Sequence, residues 1–98
     1  MIGKYNWVRM TATGEVSSTP ATVVGVLISN PAVATATIIN LTNDTDGSSD
    51  SMLDFTAIAN DGPLFDLTPF GGMYFDTAVY MTATTIGTGS IIHVALDG

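Results

Sequence analysis

The sequence predicts an all-β domain: a small β-sandwich or jelly-roll-like fold of six to seven short antiparallel strands, with no long helix. Threonine, valine and isoleucine dominate, and such β-branched side chains favour strands. Glycines and prolines divide the chain into short runs, within which apolar and polar residues alternate. The 98 residues allow one domain, which we place at 1–98.

The first two runs differ in character. Residues 4–13 end at Gly14 and are predicted as an edge strand or, over 1–13, an N-terminal arm. Residues 22–29 are apolar on both faces, which is typical of a strand covered on both sides. The predicted faces of this second strand are Val24, Val26 and Ile28 on one side and Val23 and Leu27 on the other.

The remaining predicted runs are 33–42, 52–59, a short segment 64–67, 73–84 and 90–96. The turn sequence at 60–63, Asn-Asp-Gly-Pro, separates two of them. Alternation places one apolar set of each long run inward. The predicted inward residues are Leu53, Phe55 and Ala57; Phe75, Val79 and Met81; and Ile92, Val94 and Leu96.

Charge excludes several classes of function. The formal net charge is −7, and the only basic side chains besides a single histidine are Lys4 and Arg9. Binding to nucleic acid or to an anionic membrane needs more cations than this. No apolar stretch approaches the roughly 20 residues of a membrane-spanning helix. No signal peptide is visible, so we expect the chain to be made in the cytoplasm and used intact.

Apolar character predicts an assembly subunit. Mean hydropathy is +0.40 and only 11% of residues are charged, against about 25% in an average domain. Such a chain should expose apolar surface, and large exposed patches mark interfaces. The alternative is a monomer covered by serine, asparagine and its 15 threonines. Cysteine is absent, which excludes disulfides and thiolate chemistry.

Catalytic groups are scarce. Nucleophilic catalysis needs a base beside the nucleophile, and the single histidine, His93, lies in the middle of a predicted strand. Alternation places it on the face of Ile91 and Ala95, as a partly exposed sheet residue or a pH-sensitive interface group. We therefore expect no enzyme activity and no cofactor.

The acidic loop at 43–50 has two interpretations. Asp44, Asp46 and Asp50 alternate as calcium ligands do. However, Gly47 is out of step with the EF-hand pattern, and no glutamate closes the loop. The alternative is an Asp-Gly turn that uses backbone conformations with positive φ.

The N-terminal stretch has the composition of an interface. Alternation places Tyr5, Trp7 and Arg9 on one side of a strand and Val8 and Met10 on the other. Aromatic residues and arginine are enriched at interface cores. The alternative is an edge strand whose tryptophan caps the sandwich core.

The order of the central and C-terminal segments resembles a known family. Residues 23–28 (VVGVLI) precede a Pro-Ala break, and residues 34–41 (ATATIINL) precede the Asp-Gly loop. Residues 70–80 (FGGMYFDTAVY) then place a glycine-aromatic-small pattern before Val-Tyr. This order resembles small structural proteins of tailed-phage virions, of the capsid decoration (cement) type.

The resemblance implies a compact β domain without an active site, a homotrimer on the capsid surface that binds the major capsid protein and stabilises the shell. Residues 5–10 would then pair with the partner by strand addition. Two alternatives remain: a tail or head–tail connector subunit, and a glycan-binding β-sandwich module with calcium in the acidic loop.

Overall fold

The computed structural model describes residues 5–97 as two antiparallel sheets packed on one core. The strands are β1 (Asn6–Met10), β2 (Gly14–Ser17), β3 (Ala21–Ser29), β4 (Thr37–Thr42), β5 (Ser51–Ala57), β6 (Leu64–Asp66), β7 (Met73–Phe75), β8 (Val79–Thr85) and β9 (Ile91–Asp97). Within the described range, the only helical element is a 3₁₀ turn at Thr68–Phe70. The predicted all-β class is confirmed.

Strands that are distant in sequence lie side by side. The five-stranded sheet has the order β1-β9-β3, with β6 and β7 both pairing with the far side of β3. The four-stranded sheet has the order β2-β8-β4-β5. The first and last strands therefore pair, which places the N-terminal strand at a sheet edge.

The core lies between the sheets and contains the predicted inward sets. The last strand contributes Ile92, Val94 and Leu96, and β5 contributes Phe55 and Ala57, with Leu53 packed at the margin. Phe55 also meets Phe65 of the opposite sheet, with ring centroids 4.8 Å apart. Burying each such large side chain stabilises the fold by about 1.5–3 kcal/mol.

The structure has nine strands where the runs predict six or seven. The run 4–13 ends at Met10, and β2 joins the other sheet. The run 73–84 divides into β7 and β8 because, between them, the backbone donates hydrogen bonds to the Asn43 side chain and not to a neighbouring strand. Its Oδ1 accepts hydrogen bonds from the N–H groups of Thr77 and Ala78. Such a side-chain bond competes directly with strand pairing.

The predicted grouping of side chains in β3 is wrong. The pairing of β3 with β9 shifts between Val23 and Gly25, so a β-bulge at Val24 reverses the alternation. Val23 consequently faces the core together with Val26 and Ile28. Leu27 lies on the opposite face and is half-buried.

A buried asparagine joins the two sheets. Asn30 is 1% exposed, and its Nδ2 lies 2.9–3.1 Å from the carbonyl oxygens of Thr35, Ala57 and Ile58. Its Oδ1 accepts a hydrogen bond from the Ser90 hydroxyl at 3.0 Å. The Thr35 contact explains why the predicted run 33–42 becomes a strand only at Thr37: the preceding backbone binds Asn30 instead of a neighbouring strand.

Candidate interaction surface

The outer face of the five-stranded sheet has an apolar row that crosses four strands. Arg9 lies opposite His93, His93 opposite Leu27, and Leu27 opposite Leu64. Directly paired residues share a face of a sheet, so these four side chains project away from the core. Leu64 is 52% exposed, and Leu27 and His93 are half-buried. The row thus ends in two leucines on β3 and β6 and begins with a positive charge at the β1 edge.

A second row lies beside the first. Trp7 is opposite Ala95, Ala95 opposite Gly25, and Gly25 opposite Asp66. Ala95 and Gly25 are buried although they face outward. Trp7 lies next to these two small residues in the same row. We call the outer face formed by both rows the apolar face. Its residues are Trp7, Arg9, Gly25, Leu27, Leu64, Asp66, His93 and Ala95.

Trp7 and His93 are in contact across the apolar face. Their ring centroids are 6.5 Å apart and the ring planes are at 79°, an edge-to-face arrangement. His93 Nδ1 is buried and has no hydrogen-bond partner among the described residues. A buried polar atom without a partner is costly, so this ring position lowers the stability of the folded chain.

Trp7 and Arg9 keep the alternation that the sequence predicts. Val8 and Met10 pack against the core, so Trp7 and Arg9 face outward, and Tyr5 immediately precedes β1. β1 lies at the edge of the five-stranded sheet. The idea that Trp7 caps the sandwich core is wrong, because the indole lies on the opposite side of the sheet from Val8.

The 3₁₀ connection covers one end of β3. Gly72 has φ +79°, and a Cβ at this position would lie 2.8 Å from the Val23 carbonyl oxygen and 3.0 Å from Val24. This close approach buries Val24 on the outer side of the sheet. Two aromatic side chains of the same segment stay in solvent: Phe70 is 84% exposed and Tyr74 61% exposed. Tyr74 lies opposite Thr22 of β3, on the other side of its strand from the buried Phe75, so it extends the outer surface beyond the two rows.

The outer face of the four-stranded sheet is different. Its central row places Thr82 opposite Asn40 and Asn40 opposite Asp54. We call this outer face the polar face. Ile38 and Met52 are its partly exposed apolar exceptions, each a little over one-third exposed. The polar face thus has the composition of an ordinary solvated sheet surface.

The acidic loop is closed by its own hydrogen bonds. One oxygen of Asp44 accepts from the Gly47 N–H at 2.8 Å and the Thr42 hydroxyl at 2.7 Å. The other accepts from the Ser49 N–H at 2.7 Å. Gly47 has φ +78°, so the predicted Asp-Gly turn is confirmed. Donors therefore occupy both carboxylate oxygens of Asp44, one of the three predicted calcium ligands.

Metal-binding side chains do not converge there. Among residues 5–97, no three acidic or histidine side chains are placed to hold a metal ion, so the structure does not bring Asp44, Asp46 and Asp50 together as ligands. Desolvation raises the pKa of Asp44, but the hydrogen bonds from Ser49, Thr42 and Gly47 together hold it well below its ordinary value. The Asp44 carboxylate therefore stabilises the conformation of its own loop.

Comparison with known proteins adds no relative. No protein-family model, curated protein or solved structure matches the chain. Within residues 5–97 there is also no helix with the length and apolar composition that a membrane crossing requires. The apolar face is therefore interpreted from its own residues.

Proposed function

We propose that this chain is a non-enzymatic structural subunit that binds a protein partner through the apolar face. The observation that supports this proposal is the row from Arg9 to Leu64, which places two leucines on the outer side of one sheet and leaves Leu64 52% exposed. The specific form we propose is a capsid decoration protein, which stabilises a phage shell by binding the major capsid protein. That form comes from the family resemblance of residues 22–96.

Burial of the apolar face supplies the driving force in this proposal. Removing apolar surface from water contributes about 25 cal/mol per Å² before association costs. Leu64 and Tyr74 lie on the same side of the sheet and are each more than half exposed, so a partner can remove most of their surface from water. Large aromatic residues are the side chains that most often dominate binding energy.

The charges define the partner's complementary surface. Arg9 is the only lysine or arginine in residues 5–97, and it lies at one end of the apolar row. Asp66 lies at the opposite edge of the second row. A partner that fits should be apolar in the middle, acidic beside Arg9 and basic beside Asp66. Such complementarity fixes orientation and excludes wrong partners.

The copy number of this chain in purified virions tests the proposal. Quantitative mass spectrometry against the major capsid protein should give a ratio of the order of one to one. A handful of copies per virion would contradict a shell-covering role and assign the chain to a tail, vertex or connector. Complete absence would overturn the virion proposal and favour a binding module outside the particle.

A further inference from the structure

The sandwich has one sheet edge that is long, regular and free of acidic residues. Within residues 5–97, β1 pairs with β9 alone, and its five pairs show no shift in register. At the other edge of the same sheet, β6 and β7 have only three residues each. The edge strand β2 is short and bulged. Short and bulged edges resist pairing with another chain, whereas a regular edge invites it.

We propose that two copies of this chain pair antiparallel through β1, about a two-fold axis at Val8. Full overlap of the five residues places Val8 opposite Val8, Asn6 opposite Met10 and Trp7 opposite Arg9 of the second copy. Trp7 and Arg9 share the outer side of the strand, so each arginine meets an indole. The two five-stranded sheets become one continuous ten-stranded sheet. This inference does not rest on the proposed function.

The contact between Trp7 and Arg9 favours this register. Directly opposite residues in an antiparallel pair have Cβ atoms about 4.5–5.5 Å apart, which lets the guanidinium reach the indole face within the roughly 6 Å of a cation–π contact. In an antiparallel pair, residues whose backbone N–H and C=O groups point towards the partner strand must face each other. The two-fold axis therefore passes through a residue and not between two residues, and the nearest alternatives to Val8 are Trp7 and Arg9. An axis at Arg9 places the two arginines opposite each other. An axis at Trp7 leaves Met10 outside the overlap.

The other long edge strand opposes self-pairing. β5 has seven residues and also lies at a sheet edge. Its central residue is Asp54, so full two-fold overlap would place two exposed carboxylates directly opposite each other. Like charges in that position are destabilising. With a net charge of −7 on each copy, β1 is the edge where two copies meet without an acidic residue in the strand.

The molecular mass in solution is the first test. Sedimentation of the full chain from about 1 µM to about 1 mM should show a reversible change from 10.2 kDa to twice that mass. Arg9 is exposed, so Arg9→Glu should leave the fold unchanged. It should lower the association constant at least about tenfold, because two symmetric cation–π contacts are lost. The matched control is Thr56→Glu, an exposed position on β5, which should leave association unchanged.

A monomer at every concentration would overturn the proposal. So would a trimer, which the family resemblance implies and which needs a head-to-tail contact instead of a self-complementary one. Equal loss of association in both glutamate variants would likewise overturn it, because general repulsion between acidic chains would then be the cause.

Single cysteines test the register, since the natural chain has none. With the axis at Val8, two copies of Val8→Cys bring their Cα atoms within the 4.4–6.8 Å range of a disulfide. Trp7→Cys and Arg9→Cys would place each cysteine about 8 Å from its equivalent, beyond that range. We expect oxidised dimer to form fastest in Val8→Cys. A maximum at position 7 or 9 would overturn the proposed register.

Discussion

The two outer faces of this sandwich differ although the two sheets share one core. Across the five-stranded sheet, the row from Arg9 ends in two leucines. Across the four-stranded sheet, the equivalent row consists of Thr82, Asn40 and Asp54. Folding alone requires only the inner faces to be apolar. The two leucines on the outer side exceed that requirement, and the function proposed above uses them to bind a partner.

The same contrast separates the two long edges. In the proposed pairing of two β1 strands, Trp7 of each copy lies opposite Arg9 of the other. In a pairing of two β5 strands, the Asp54 carboxylates of the two copies would lie opposite each other and repel. The five-stranded sheet thus combines the apolar face with an edge strand that pairs with a second copy in the proposed dimer. The four-stranded sheet combines the polar face with an edge strand whose central carboxylate opposes such pairing. Both proposed contacts, with a partner and with a second copy, therefore use the same sheet.

The largest expected effect comes from a substitution that removes the hydrogen bonds between the two sheets. Asn30→Ala deletes the side chain that joins the sheets and leaves three carbonyl groups and the Ser90 hydroxyl without this partner. We expect a loss of at least about 3 kcal/mol in the free energy of unfolding, because each unsatisfied buried group costs about 1–3 kcal/mol. Urea denaturation followed by tryptophan fluorescence measures this loss.

The matched control is Asn40→Ala on the polar face, where the asparagine is half-exposed. Its cost should stay near 0.5 kcal/mol, as is usual for surface positions. If the two alanine variants were equally destabilised, the buried polar cluster would not be what holds the sheets together.

A charge placed on each face in turn tests the functional comparison. Leu27→Lys puts an ammonium group in the middle of the apolar row, and Asn40→Lys puts one in the middle of the polar row. We expect Leu27→Lys to weaken binding to purified capsids about a hundredfold, since interface centres tolerate unpaired charge poorly. Asn40→Lys should change binding less than about threefold.

Thermal unfolding of both lysine variants controls for folding, because Leu27 is half-buried. Retained stability with lost binding would support a docking role for the apolar face. Equal binding by both variants would show that the partner does not contact that face.

The sequence predicts the inner faces well because alternation is a local property. Ile92, Val94 and Leu96 need only their own strand to reveal which side they occupy, and Trp7 and Arg9 follow the same rule. The bulge at Val24 is invisible to alternation, because it depends on how β3 pairs with β9, some seventy residues later in the chain. One extra residue there is enough to place Val23 and Leu27 on opposite faces of the sheet, although plain alternation groups them together.

The apolar row is only partly visible in the sequence for the same reason. The face of His93 can be predicted, but its neighbours Arg9 and Leu27 are identified only by cross-strand register. Leu64 lies in a three-residue strand whose length gives almost no periodic signal. A site assembled from four strands depends on long-range pairing, which single-sequence patterns do not specify.

The smallest expected effect is on the pH dependence of stability, and it compares one hydrogen-bonded carboxylate from each sheet. In the hairpin of the four-stranded sheet, Asp44 accepts hydrogen bonds from three residues. At the end of β6 in the five-stranded sheet, the side chain and N–H of Thr68 hold the pKa of Asp66 below its ordinary value. Both folded pKa values lie below the unfolded value, so each carboxylate stabilises the fold above about pH 4 and loses that contribution as the pH falls.

Asp44→Asn should therefore destabilise the chain more than Asp66→Asn at pH 7, and the difference should narrow towards pH 2. Urea unfolding between these two pH values measures it. Asp50→Asn is the charge-matched control in the same loop, because removing any one acidic group relieves the same overall repulsion. An Asp66 variant as costly as the Asp44 variant would mean that the number of hydrogen bonds to a loop carboxylate does not set its contribution here.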